Sequence, residues 1–243
     1  MKTRFFSTVL LASLFMGMSS LCASCNVIGE NGNGKVVKQD RKVTSFNAID
    51  VSGAFEIYLR QGETEGVTVE SDENLLPFIR TEVVGSELRI DTKNHPMHHV
   101  TVMKVFITIK DLKKVDVSGA VDLQTENRLT LTELSLDASG ASDSKLDIAV
   151  QKLDLDCSGA SKIYFTGMAV NVRMDLSGAS EISAFDLPAE TCSIELSGAG
   201  EAEINVTKSL IAEISGAGTV VYKGSPTQID QRVSGAGSIR KAN

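Results

Sequence analysis

The sequence predicts an all-β fold, a solenoid of stacked coils of about 18–21 residues each, and three observations carry that prediction. The triplet Ser-Gly-Ala occurs eight times, at Ser52, Ser118, Ser139, Ser158, Ser177, Ser197, Ser215 and Ser234. From Ser118 onward the steps are 21, 19, 19, 20, 18 and 19 residues. The segments before the triplets alternate with a period of two, as in Leu134-Ser-Leu136-Asp-Ala138 and Leu153-Asp-Leu155-Asp-Cys157, the mark of a strand with two unlike faces. Long helix-period stretches are missing from a chain with 20 glycines and no tryptophan. A period near 20 is too short for helical-pair repeats or propeller blades, and the Leu and Asn pattern of leucine-rich repeats is missing.

The chain opens with Lys2 and Arg4, an apolar run from Phe5 to Met18 and small residues up to Cys25, the order of a secretory signal. That run is too short to span a membrane. The stretch Leu21-Cys22-Ala23-Ser24-Cys25 resembles a bacterial lipoprotein cleavage site, with residues 1–24 removed and Cys25 lipidated; ordinary signal cleavage is the alternative. A lipid so attached tethers a protein to a membrane without crossing it. Residues 25–35 are rich in Gly and Asn and read as a flexible tether. Residues 36–243 read as the folded domain, less regular over 36–110 and regular over 111–240. Within the first part, 43–60 and 82–92 alternate as strands, and Asp72 to Ile79 predicts one helical turn stopped by Pro77. The step of 66 residues from Ser52 to Ser118 is close to three longer turns.

Aligned on their serines, the regular coils resolve into columns. One position before the Ser stand Val117, Ala138, Cys157, Leu176, Leu196, Ile214 and Val233, and three before stand Val115, Leu136, Leu155, Met174, Ile194 and Ala212. Between them stand Asp116, Asp137, Asp156, Asp175, Glu195 and Glu213. Successive strand side chains face opposite ways, so the apolar columns point inward and the acidic column outward. Gly119, Gly140, Gly159, Gly178, Gly198, Gly216 and Gly235 follow the serines and suit a tight corner, because glycine tolerates backbone angles closed to other residues. Beyond the corner, Ile163 and Phe165, Ile182 and Ala184, Ala202 and Ile204, and Val220 and Tyr222 are again inward candidates. A second corner follows at Gly167 and Gly224 and at Pro188 and Pro226. This register sets Cys157 and Cys192 two coils apart and at different points along the strand. A disulfide needs α-carbons within roughly 7 Å, so the two are predicted to be free, buried thiols. At the last coil Gln231 replaces an inward apolar residue and Arg232 the outward acid. With Arg240 and Lys241 they predict a polar terminal cap.

The ladder, the opening Phe46-Asn-Ala-Ile-Asp-Val-Ser-Gly-Ala54, the segment Glu73-Asn74-Leu75-Leu76 and Leu88-Arg-Ile90 together resemble the auto-transporter adhesin head GIN domain family (DUF2807) over about residues 36–240. Its members are exported proteins common in Bacteroidetes. The resemblance implies a right-handed parallel β-helix of the pectin-lyase-like type, a role in adhesion and a trimeric arrangement. It supplies no catalytic residues to carry over.

Charge and chemistry narrow the function. The net charge is −7, and it falls to −9 without the two basic residues of the leader; such a surface repels nucleic acid. The acidic column could share a hard cation such as Ca²⁺ or face a partner, while the plainer reading is a solvated face that keeps the protein soluble. A repeated serine with no His or Lys base beside it is structural. His95, His98 and His99 read as a polar loop, because no carboxylate or cysteine joins them at a recognised metal-binding spacing. Lys145, Lys152, Lys162 and Arg173 occupy different phases, so no base is fixed beside the acids as a polysaccharide lyase requires. No cofactor is implied. The sequence therefore reads as a non-enzymatic lipoprotein of the cell envelope, held on one face of the outer membrane. It would present a rigid surface to a protein or glycan ligand in the manner of an adhesin. The alternatives are a periplasmic structural or envelope-stress component and a carbohydrate-binding or lyase-like β-helix.

Overall fold

The computed structural model describes residues 29–242; the leader and Cys25 lie outside the described residues. Eight strands build the first part: β1 (Glu30–Asn31), β2 (Val36–Arg41), β3 (Ala48–Gln61), β4 (Gly66–Asp72), β5 (Arg80–Val84), β6 (Glu87–Asp91), β7 (Met97–His98) and β8 (Met103–Ile109). Nine more carry the chain upward as coils: β9 (Lys114–Thr125), β10 (Leu129–Gly140), β11 (Asp143–Gly159), β12 (Lys162–Gly178), β13 (Glu181–Gly198), β14 (Glu201–Gly216), β15 (Thr219–Gly224), β16 (Gln228–Gly235) and β17 (Ser238–Lys241). From β9 onward each coil lies parallel on the one before, in a β-solenoid of about seven turns.

The triplets are what keeps the coils in step. Ser52 pairs with Ser118, Ser118 with Ser139, Ser139 with Ser158, Ser158 with Ser177 and Ser177 with Ser197, and Ser215 pairs with Ser234. Glycine is required at the next position. Gly159 has φ +109°, and a β-carbon there would sit 2.5 Å from the carbonyl oxygen of Gly140 below. The chain then turns, and the Ala160 N–H donates to that same oxygen at 2.9 Å, a bond repeated coil after coil. At the second corner Gly167 and Gly224 again have positive φ; β12 runs on through it, while β15 ends there.

Inside, the two apolar columns before each Ser are buried, from Val115 and Val117 through Leu155 and Cys157 to Ala212 and Ile214. Cys157 and Cys192 are both free and buried, and burial pushes each thiol up to about 12. Just past the corner runs an inward column not singled out in the sequence: Phe55, Val121, Ser142, Ser161, Ser180, Gly200 and Gly218, all buried. Its residues shrink toward the C-terminus because neighbouring side chains take the space. A β-carbon on Gly218 would lie 2.2 Å from Leu196 Cδ2. Ser142 donates to the Ser161 hydroxyl at 3.0 Å, satisfying polar groups the core would otherwise strand.

The first part of the domain corrects three expectations. The 66-residue step is one layer, not three turns, because β3 pairs directly with β9. The residues between them pass beneath: β6 and β8 form the layer below β3, and β4, β2 and β5 extend it with antiparallel pairings. Pro77 sits within the first turn of a short 3₁₀ helix, Leu76–Phe78, rather than after a turn it ends; proline's missing N–H costs nothing at that position. The segment read as a flexible tether is fastened from Gly29 onward. β1 pairs with β7, and the Gly32 N–H donates to the His98 carbonyl at 2.9 Å. Its glycines serve close approach rather than freedom: a β-carbon on Gly32 would lie 2.7 Å from both Asp72 Oδ2 and the His99 carbonyl.

Asp72 is the knot of this lower end. Its buried carboxylate accepts from the Gly34 N–H at 2.7 Å, the Thr101 N–H at 2.8 Å and the Thr101 hydroxyl at 2.9 Å. Burial alone would raise its pKa, but those hydrogen bonds outweigh it and hold the carboxyl below the usual range. At the other end the cap is only partly polar. Ile229 and Val233 flank Gln231 and stay about half exposed.

The glycine column gives a direct test. Gly159→Ala places a methyl group against backbone that cannot move aside and forces a positive φ on alanine. It should cost about 2–4 kcal/mol in denaturant unfolding. A loss under about 0.5 kcal/mol would mean the coils do not need the close approach. In the same melts, both thiols should react with a thiol reagent only as the fold opens.

Candidate binding faces of the solenoid

Register turns the repeated acid into a line. Asp50 pairs with Asp116, Asp116 with Asp137, Asp137 with Asp156, Asp156 with Asp175, Asp175 with Glu195, and Glu195 with Glu213. Neighbours in such a line are roughly 4.8 Å apart. Arg89 stands beside Asp50 at one end and Arg232 beside Glu213 at the other. Lys114 bridges Asp116 and Asp137 at 3.0 and 3.2 Å, Arg173 reaches Glu195 at 3.5 Å and Arg232 reaches Glu213 at 2.6 Å. Among the described residues Asp50, Asp156 and Asp175 of this line have no ion pair. The line borders two shallow grooves. One of about 360 Å³ is lined by Asp50, Asp116, Asp137, Asp156 and the ladder serines. The other, of about 380 Å³, is lined by Asp137, Asp154, Asp156, Arg173 and Asp175.

The electrostatics follow the geometry. Burial first, then the Glu87 carboxylate, push Asp50 above the usual carboxylate range, against Arg89. Burial, then Asp137, raise Asp116 against Lys114. Burial, then Asp175 and Asp137, raise Asp156, with Arg173 opposing. The ladder serines beside them are structural in geometry. Ser118, Ser139 and Ser177 each point the hydroxyl at a carbonyl of the coil below, at 3.5, 3.5 and 3.3 Å. The three histidines lie in the lower loop, away from this ladder. His95 stacks on Phe78 at 3.9 Å between ring centroids, and His99 Nδ1 lies 2.9 Å from Asn31 Oδ1. Among the described residues no cluster of three or more His, Cys, Asp or Glu is arranged to hold a metal ion.

A second face, on the far side of the Ser-Gly corner, escaped the sequence reading. Outward positions there carry Asp122 and Gln124, Asp143 and Lys145, Lys162 and Tyr164, and Glu181 and Ser183 on four consecutive coils. Together they line a groove of about 330 Å³. Tyr164 is 41% exposed, and its hydroxyl donates to Asp186 Oδ2 at 2.7 Å, which fixes the ring on the surface. Lower on the same face Tyr58 and Phe106 stack at 4.9 Å, with Lys38 over the Phe106 ring at 4.5 Å. The signal was present in the alternation after each corner. It was masked because these outward residues differ from coil to coil, whereas the acids before the corner repeat.

The acidic line sets a signed pH dependence. Asp50, Asp116 and Asp156 bind protons more readily folded than unfolded. Their stabilisation is therefore full below the unfolded value and lost as pH rises through the folded one. Lowering the pH from 7 should first raise the melting temperature, until Asp72, whose pKa is shifted down, begins to be protonated and its hold on Gly34 and Thr101 weakens. Asp156→Asn should stabilise at pH 7, by about 1–2 °C given screening at this exposed position, and should shrink the gain on acidification. A lower melting temperature for this variant at pH 7 would mean the line is held by cations rather than strained by repulsion.

The comparisons with known proteins agree with this architecture. The model of the family described as "Putative auto-transporter adhesin, head GIN domain" (DUF2807) matches residues 45–226. A crystal structure of a "putative adhesin" from Bacteroides fragilis NCTC 9343 superposes with a TM-score of 0.84 at 26% identity, covering 88% of this chain and 100% of that one. Two structures from Parabacteroides distasonis ATCC 8503 share the fold. A "putative adhesin" has TM-score 0.69 and 24% identity over 88% of this chain and 100% of its own. A "putative lipid binding protein" has TM-score 0.67 and 23% identity over 88% and 99%. None of the curated proteins matches.

Proposed function

The chain belongs to the auto-transporter adhesin head GIN domain family, and from that membership we propose a non-enzymatic lipoprotein of the cell envelope, anchored through Cys25 and acting as an adhesin-like binding module. One observation carries the reading. The solenoid holds outward side chains of successive coils in register, so its faces are ordered before any ligand arrives. A pre-ordered surface loses little conformational entropy on binding. The face beyond the corner is the contact surface in this reading, since it has a groove of ligand size with mixed charges and a fixed aromatic ring.

Tyr164 also favours a carbohydrate as the ligand. An exposed ring offers an apolar platform for the C–H face of a sugar, and Asp143, Lys145 and Lys162 around it supply hydrogen-bond partners for hydroxyl groups. The name of the second Parabacteroides protein suggests a lipid instead. The void lined by Val172, Met174, Leu187 and Cys192 has only about 10 Å³, too little for an acyl chain at that point.

Tyr164→Ala combined with Lys145→Ala should weaken binding on a glycan array and to whole cells by about tenfold or more, with the melting temperature unchanged. Undiminished binding would remove this face from the reading. Cys25→Ser should move the protein from the membrane fraction to the soluble fraction, and continued membrane association would overturn the anchor.

A further inference from the structure

The last coil ends on a strand edge left open. Among the described residues β16 pairs with β14 alone, in unbroken register from Gln228 to Gly235, and all eight of its residues are exposed. Ile229, Gln231 and Val233 continue the inward column of Leu210, Ala212 and Ile214, which are buried one coil below. Ile229 is 48% and Val233 47% exposed because no described residue covers the column above them. Proteins blunt such edges with lysine, proline, a bulge or an inward charge. β16 has none of these devices; its two charges, Asp230 and Arg232, face outward.

We propose that β16 pairs antiparallel with β16 of a second copy of the chain, about a two-fold axis through Gln231. Residues opposed on antiparallel strands share a face of the sheet, so the pattern on one strand must match its own reverse. Ile229-Asp230-Gln231-Arg232-Val233 does so. The axis sets Ile229 opposite Val233 of the second copy on the inner side, Gln231 opposite itself, and Asp230 opposite Arg232 on the outer side, each heteropair occurring twice. The neighbouring registers that keep the faces matched centre on Asp230 or on Arg232, and each sets like charges against one another. Charge thereby selects this register over both of its neighbours. Arg232 is already held by Glu213 at 2.6 Å and Asp230 at 2.9 Å, so its head is placed before the second copy arrives. The attraction itself comes from the unpaired main-chain groups of the edge and from covering Ile229 and Val233. β17, with Ser238, Ile239, Arg240 and Lys241, has no such palindrome, and the pairing belongs to β16. The described chain begins at the opposite end of the solenoid, so two copies joined this way hold those beginnings at the far ends of the pair.

Sedimentation equilibrium of the full chain should show a dimer. Asp230→Arg and Arg232→Asp should each weaken self-association by about tenfold or more, while an equimolar mixture of the two variants regains it, because opposite charges then face again. Opposed α-carbons in antiparallel strands lie about 4.5–5.5 Å apart, within disulfide reach. Gln231→Cys should therefore give disulfide-linked dimers on mild oxidation, and Arg232→Cys far fewer. Cys157 and Cys192 are buried and do not compete, and the unsubstituted chain controls for its leader cysteines. A chain that stays monomeric at about 100 μM, a trimer, single charge variants that associate like the parent, or a failure of Gln231→Cys to cross-link would each overturn the proposal.

Discussion

The constraint on which the rest of the structure depends is the approach of each corner glycine to the glycine carbonyl one coil below. From Gly119 to Gly235, a β-carbon at any of the seven corners would meet that oxygen at 2.3–2.6 Å. No side chain fits, so every coil must bend at the same residue, and the bend sets the phase of all that precedes and follows it. The inward columns align because the corners do. An alternating strand shifted by one residue would turn its apolar side chains out to water, so the corner, by fixing register, also fixes which face is core.

Alignment has an electrostatic consequence. A repeat that places an acid before every corner stacks like charges at strand spacing; burial first, and then the neighbouring acids of the line, raise the pKa values of Asp116 and Asp156. The structure offsets it sparingly, with Lys114, Arg173 and Arg232 along the line and Arg89 at its foot. A row of charge on a flat sheet also keeps other sheets from stacking upon it. The same row therefore protects the face before the corner, while the face beyond it, with mixed charges and Tyr164, is left open to a ligand.

Much of this was legible in the sequence, and the limits have physical causes. Register could be read because identical corners leave identical residues: the steps of 18 to 21 from Ser118 each measure one coil. The 66-residue step misled because sequence distance equals path length only while the chain winds upward. Between Ser52 and Ser118 it goes down, builds β6 and β8 beneath β3, and returns. The buried serines Ser142, Ser161 and Ser180 were invisible because serine is ordinarily a surface residue, and the column they share holds Phe55 and Val121 in the coils below and glycine in those above. Gly29 and Gly32 read as flexibility because composition alone cannot separate a glycine that moves from one that lets Asp72 and His98 come close. The polar groove around Tyr164 lay at positions with no repeated residue, and a search for repeats passes over such positions.

The two ends of the solenoid resolve the problem of an open sheet in opposite ways. At the lower end the chain reverses. β4 lies antiparallel to β8, β2 antiparallel to β4 and β5 antiparallel to β6, and the buried Asp72 gathers the backbone N–H groups of Gly34 and Thr101. That end is turned back on itself by topology, with β2 and β5 as its outermost strands. At the upper end nothing reverses: β16 and β17 repeat the path of the coils below and differ only in their side chains. Gln231 and Arg232 are enough to interrupt the apolar and acidic columns, but a change of side chain does not satisfy the main-chain donors and acceptors of an edge. Termination by sequence alone therefore leaves a strand still able to pair. The order of Asp230 and Arg232 around Gln231 decides which strand it accepts.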